Sequence, residues 1–249
     1  LELKDKLKAT DELREGRAIQ HALMPEPAPR IKGFTVHIRT EPANDVGGDL
    51  VDVQPLGDGR FGLALGDLAG KGLGAALMMA RLHSTIRALA PESPDLSQLA
   101  GRINHILCRD GVKSRFASLV YLIVSDASDR IRYFNAGHMP PVLVSATGVK
   151  VMKRGGIAMG LKPGVRFKEQ EVRLAPGDVL VVYSDGLTEA RDPENNFYGE
   201  ERAKRLFASL HGLTAQQSFD RIRKDLDTFR GTSRLPDDLS LLIIARNRA

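Results

Sequence analysis

Apolar residues along this chain come mostly in short runs punctuated by Gly, Pro and Asp, and only a few stretches keep a helical spacing. Over residues 1–23, Leu3, Leu7, Leu13, Ile19 and Leu23 recur loosely at helical period among many charges, which predicts a helix with a narrow apolar stripe. Pro25, Pro27 and Pro29 then end it in a stiff link. Phe34–Thr40 alternates as a strand does, and Leu50–Leu56 and Arg60–Leu65 flank Gly57-Asp58-Gly59, a hairpin turn signal. Leu73, Leu77, Ala80, Ile86 and Leu89 predict a helix over Gly72–Ala90, with Met78 and Met79 as packing residues. Pro91–Pro94 breaks the chain, and Asp95 or Ser97 is placed to cap a second helix running to about Arg109.

Strands dominate from there. Phe116–Ser125 and Arg130–Asn135 read as a hairpin, and Pro141–Ser145 and Val149–Lys153 are joined across Thr147-Gly148. Phe167–Leu174 and Val179–Ser184 are connected by Ala175-Pro176-Gly177-Asp178, another turn signal. Helices are predicted over Glu200–Leu210 and Ala215–Phe229, and Leu239–Ala245 is a closing apolar strand. Hairpins outnumber β-α-β units, so the chain reads as α+β, with mainly antiparallel sheets and helices packed outside. The length suits one large core, over residues 25–249, with residues 1–24 as a linker or pairing helix.

Composition changes this picture little. The 36 Lys and Arg outnumber the 31 Asp and Glu by enough to leave a net charge of +5, but the two signs are interspersed. Aromatics are 5% with no Trp, which supplies few stacking platforms and argues against a nucleic-acid partner. Cys108 alone cannot close an internal disulfide, favouring a reducing, cytoplasmic setting, and its apolar neighbours mark it as a packing residue. No run reaches the length of a membrane span, and no secretory signal opens the chain. The first residue is Leu, so the sequence reads as a fragment whose N-terminal portion was removed.

The chemistry lies in the acids. Val46-Gly47-Gly48-Asp49-Leu50-Val51-Asp52 and Leu65-Gly66-Asp67-Leu68-Ala69-Gly70-Lys71-Gly72 set carboxylates directly after glycines at strand ends. Two more acid sites recur far downstream, in Tyr183-Ser184-Asp185-Gly186 and Pro236-Asp237-Asp238-Leu239-Ser240, each Asp beside a small residue or a second acid. Two carboxylates about 4 Å apart repel by roughly 4 kcal/mol at an effective dielectric near 20, so such a group needs cations or must hold protons. Carboxylate and carbonyl oxygens suit Mg²⁺ or Mn²⁺, whereas zinc would want His or Cys. The six histidines show no paired-ligand spacing. An all-oxygen, two-ion site is the expectation.

At these residues the chain resembles the metal-dependent serine/threonine phosphatases of the PPM type (protein phosphatase 2C-like), in the SpoIIE/RsbU branch. The pieces come in order: VGGDLVD, GDLAGKGLGAALMMA, FASLVYLIV, NAGHMPPVL, MGL, LAPGDVLVVYSDGLTEA and DDLSLLII, over about residues 24–246. Seven ordered pieces are far more specific than any one of them. The resemblance implies a four-layer α-β-β-α sandwich holding two Mn²⁺ or Mg²⁺ ions at the sheet ends, and phosphoester hydrolysis by a metal-activated water. Carried over by position, Asp49, Asp67, Asp185 and Asp237 are the implied catalytic ligands, with Asp67 the bridging candidate and the Leu68 carbonyl a further oxygen. Asp238 stands where the family has Asp or Asn, which leaves its ligation open, and Asp52 falls behind the ligands. Lys71 stands where many members carry His; it either offers a cation to the substrate phosphate or faces solvent. His138 reads as a turn histidine holding strand ends. Residues 186–199 are polar enough to form a mobile flap beside the site.

The implied substrate is a phosphorylated STAS-type anti-sigma-factor antagonist in a partner-switching pathway. The segment IQHALMP resembles the helix through which an upstream sensory domain acts in this branch, and a homodimer through that helix is a further expectation. The alternative is a catalytically weak module of the same fold that acts by protein–protein binding.

Overall fold

A computed structural model describes residues 15–20, 22–23, 29–44, 46–110 and 115–248. The expected helix over residues 1–23 is helical at 15–20 and 22–23 (α1), and its remainder lies outside the described residues. The strands are β1 (Phe34–Glu41), β2 (Leu50–Gly57), β3 (Arg60–Leu68), β4 (Ala117–Ser125), β5 (Arg130–Ala136), β6 (Val142–Ser145), β7 (Gly148–Val151), β8 (Gln170–Arg173), β9 (Val179–Tyr183) and β10 (Leu239–Arg246). The helices are α2 (Leu73–Leu89), α3 (Leu96–Asp110), α4 (Glu200–Phe207) and α5 (Ala215–Arg230). One five-stranded sheet runs β1-β10-β9-β6-β7 and the other β2-β3-β4-β5-β8. Every neighbouring pair is antiparallel.

The apolar runs dictate four layers. In β10, Leu242 and Ile244 face the other sheet while Leu241 and Ile243 face α4 and α5. In β3, Leu63 and Leu65 point between the sheets while Ala64 points to α2 and α3. Alternate side chains leave a strand on opposite faces, so a strand buried on both must be apolar throughout. The inter-sheet layer joins Val36, Leu180, Val182 and Leu242 to Val51, Leu63, Val120 and Leu122. Outside one sheet lie Met79, Leu82 and Ile86 of α2 with Leu99 and Ile103 of α3; outside the other lie Phe207, Ile222 and Leu226. The fold is therefore an α-β-β-α sandwich.

Local chemistry fixes the ends. Asp95 caps α3, its Oδ1 accepting from the Ser97 and Gln98 amides at 2.7 and 3.0 Å. Ser97 takes a different task, its hydroxyl accepting from the Glu169 amide at 3.2 Å. Thr214 opens α5 with a capping box closed by Gln217.

The turn at residues 175–178 departs from a hairpin. β8 pairs with β5 and β9 with β10 and β6, so this turn carries the chain from one sheet to the other. Phe167 belongs to the packing between α2, α3 and their sheet, ahead of the short strand β8. Among the described residues no helix is long and apolar enough to cross a membrane.

Leu242 is fully buried between the sheets. Leu242→Ala is expected to lower the unfolding free energy by about 2–5 kcal/mol, read as a lower urea midpoint with an unchanged slope.

Candidate metal centre

Antiparallel pairing brings the acids to one end of the sandwich. Leu50 pairs with Gly66, so Asp49 just before β2 and Asp67 near the end of β3 share an edge. Leu241 pairs with Tyr183, so Asp185 just after β9 and Asp237 and Asp238 just before β10 share the corresponding edge of the other sheet. Side chains then join the two edges. Asp238 Oδ1 accepts from the Ala43 amide at 2.8 Å, and its Oδ2 accepts from Gly48 at 2.7 Å and Asp49 at 3.4 Å. A Cβ on Gly47 would stand 2.5 Å from Asp238 Oδ2, so only glycine lets this carboxylate reach the loop. Gly186 is constrained in the same way by the Asp238 carbonyl.

The fully buried Ser184 binds the far side, its hydroxyl donating to the Asp238 carbonyl at 3.0 Å and accepting from the Ser240 amide at 2.9 Å. The Leu68 carbonyl faces the Asp49 loop, 3.3 Å from where a Gly48 Cβ would lie. Arg115 braces the loop that follows Asp67, donating to the Ala69 carbonyl at 2.9 Å. Gln20 of α1 does the same for the loop before Asp49. Its amide donates to the Gly47 carbonyl at 2.7 Å and accepts from the Gly47 amide at 3.1 Å.

The electrostatics show carboxylates that feel one another. Burial, then the charges of Asp185, Asp237 and Asp238, raise Asp67 to about 7 against the pull of Lys71. Burial raises Asp49 well above the usual range; Asp67 and Asp238 add to it while Ser240 and Ser184 oppose. Burial, Glu189 and Asp237 raise Asp185. Asp49 Oδ2 is buried with no hydrogen-bond partner. Among the described residues no three acid, His or Cys side chains are arranged to enclose an ion, and the cation in contact is Lys71, whose Nζ lies 2.8 Å from Asp237 Oδ2. It also donates to the Pro236 carbonyl at 3.1 Å. The donor set, carboxylates with one carbonyl and an unpartnered buried oxygen, fits a hard divalent cation better than a soft one.

Two residues named from the sequence lie elsewhere. Asp52 faces α2, where Arg87 binds it through Nη2 and Nε at 2.7 and 3.0 Å and His83 stands 3.5 Å away. Burial works to raise Asp52, but His83 and Arg87 outweigh it and hold the carboxyl below its ordinary value. It thus anchors the helix that starts behind Asp67. His138 is a strut between the sheets: Nε2 contacts the Tyr183 carbonyl at 3.2 Å and Nδ1 the Ser118 hydroxyl at 2.7 Å. A carbonyl only accepts, so Nε2 carries the proton and Nδ1 accepts from Ser118. Residues 186–199 are pinned near both ends, with Leu187, Ala190 and Tyr198 buried and the Tyr198 hydroxyl donating to Asp225 at 2.6 Å, while residues 193–197 are exposed. Polarity alone concealed these anchors. Gln20, Ser184 and Arg115 escaped sequence reasoning because a lone Gln, Ser or Arg carries no spacing signal.

Two helix-covered antiparallel sheets with acidic loops gathered at one end define a protein phosphatase 2C-like fold. The chain matches the SiaA-PP2C domain of Pseudomonas aeruginosa with a TM-score of 0.83 at 20% identity, covering 98% of this chain and 99% of that one. It belongs to the SpoIIE (Stage II sporulation protein E) family, whose model matches residues 57–247. Protein IcfG of Synechocystis sp. is 28% identical over 95% of this chain and 42% of its own length. Phosphoserine phosphatase RsbU of Bacillus subtilis is 24% identical over 92% of this chain and 68% of its own length. The chain therefore spans less than half of IcfG.

His138 yields a pH prediction. Burial lowers it to about 4, with its contact to Tyr183 opposing. The unfolded chain then binds the extra proton between about pH 6.5 and pH 4, so stability is full above that window and falls as pH drops through it. From about pH 7 to pH 5 the loss attributable to His138 is about 2 kcal/mol. Denaturant titrations of wild type and His138→Gln at both pH values measure it, the variant showing a correspondingly flatter dependence.

Proposed function

We propose that this chain is a metal-dependent phosphatase domain that hydrolyses phosphoserine or phosphothreonine in a protein substrate. The observation that carries it is the gathering of Asp49, Asp67, Asp185 and Asp237, from opposite ends of the polypeptide, where burial and mutual repulsion raise three of the four. These four, with the Leu68 carbonyl, would hold two Mn²⁺ or Mg²⁺ ions. Asp238 orients the Asp49 loop through its amide contacts, and with three amides bound it has one lone pair left, on Oδ1, that could serve an ion. Bound ions would supply an activated water at neutral pH and counter-charge for the phosphoryl oxygens.

This chain's own residues then have defined tasks. The acids would set the position of the cations, Asp238 ties the two sheet edges together, and Ser184 holds the end of β9 to the start of β10. Lys71, exposed beside Asp237, places a cation at the rim where a phosphate would approach. His138, neutral and directed into the inter-sheet seam, takes no part in proton transfer.

Membership of the SpoIIE family and the likeness to a protein named phosphoserine phosphatase RsbU support a phosphorylated STAS-type protein as substrate. On this reading residues 25–249 are the phosphatase domain, and residues 1–24 a segment through which an upstream domain, or a second copy, would act.

The test is Mn²⁺-dependent release of phosphate from a STAS phosphoprotein and from p-nitrophenyl phosphate. Asp67→Asn and Asp185→Asn are each expected to lower the rate by at least about 100-fold, consistent with loss of electrostatic stabilisation. Metal-saturated wild type with no turnover on either substrate overturns the reading; absence of Mn²⁺ binding in calorimetry favours the protein-binding alternative.

A further inference from the structure

We propose that Gln20 is a positioning residue of the metal centre: from α1 it fixes the backbone of Gly47 and through it the aim of Asp49. The proposal rests on the phosphatase reading above. It starts from an unusual placement, since Gln20 is 7% exposed although its neighbour Ile19 is 61% exposed. A buried primary amide is stable only when its donor and acceptor are both satisfied. Gln20 satisfies both on one residue, with its Nε2 donating to the Gly47 carbonyl at 2.7 Å and its Oε1 accepting from the Gly47 amide at 3.1 Å. Such a two-point contact fixes the orientation of that backbone unit as well as its position.

The peptide next in line carries the site. Gly48 and Asp49 donate their amides to Asp238 Oδ2, and Asp49 Oδ2 is the buried oxygen without a partner. Residues 47–49 are therefore gripped from opposite sides, by Gln20 from α1 and by Asp238 from the start of β10. Gly47 has no side chain of its own to hold it, and a Cβ there would collide with Asp238. Without Gln20 the loop keeps one anchor and gains the freedom that glycines confer. Among the described residues of α1, Leu23 packs at the edge of the α2–α3 layer and Gly16 approaches Val46. Gln20 is thus a main tie between α1 and the metal centre, and a displacement of α1 releases Gly47.

The experiment uses the 249-residue chain, with Mn²⁺ titrated calorimetrically and amide hydrogen exchange read at residues 46–49 in metal-free protein. Gln20→Met keeps length and removes both hydrogen bonds; it is expected to weaken Mn²⁺ binding about tenfold and to speed exchange of those amides, with an unchanged thermal midpoint. Gln20→Glu keeps an acceptor for the Gly47 amide and is expected to recover part of both effects. A purely packing role would leave exchange at residues 46–49 untouched. Gln20→Met with wild-type exchange and Mn²⁺ affinity within about twofold of wild type overturns the proposal. Wild type that takes up no Mn²⁺ overturns the phosphatase reading itself, an outcome distinct from equal binding by wild type and variant.

Discussion

Carboxylates held close together in a space with little water are the constraint on which this structure turns. Each pair at about 4 Å carries roughly 4 kcal/mol of repulsion at an effective dielectric near 20, and nothing within the acids themselves offsets it. Burial first, and the neighbouring acids after it, press Asp49, Asp67 and Asp185 upward. The opposing force comes from elsewhere in the fold. The strands β3, β9 and β10 are buried on both faces over most of their length, so they cannot yield to the acids at their ends without exposing apolar surface.

The seam between the sheets needs direction as well as adhesion, because apolar packing fixes separation better than register. Two polar struts at the acidic end supply it. Asp238 reaches across to the amides of residues 43, 48 and 49, and His138 ties the start of β4 to the end of β9. Ser184 closes β9 onto the start of β10. Each strut spends its polar atoms on backbone or hydroxyl partners, the condition under which buried polar groups specify a structure instead of weakening it. Asp52 shows the contrast within one motif. Three residues beyond Asp49, it has Arg87 for a partner and is held below its ordinary value, so it serves α2 and not the acid cluster.

The layers were legible because burial on two faces writes strands as unbroken apolar runs, and because Gly57-Asp58-Gly59 and Thr147-Gly148 carry real turn chemistry. The acids were legible for a related reason: each sits at a strand end beside a small residue or a second acid, and antiparallel pairing converts that sequence position into a shared edge. What escaped was direction. The turn at residues 175–178 announces a reversal but not which sheet the next strand joins. Asp238 announces a carboxylate but not that amides take two sides of it. In the segment at residues 186–199, polarity hid the buried anchors Leu187 and Tyr198, which flank the exposed residues 193–197.

The two supports of the Asp49 loop differ in kind, and the difference bears on how such a site can be governed. Asp238 precedes β10, a strand paired on both edges and packed on both faces, so its position is fixed by the whole sandwich. Gln20 sits on a helix outside both sheets, whose described residues meet the body through Gln20 itself and Leu23. A loop built on glycine between a rigid support and a loosely attached one takes its shape from the looser of the two. Burial-driven rigidity excludes graded adjustment of the strands that carry Asp67 and Asp185. Motion at the acidic end is then confined to the elements that the core does not own, and α1 is the one that grips a backbone unit beside a candidate ligand.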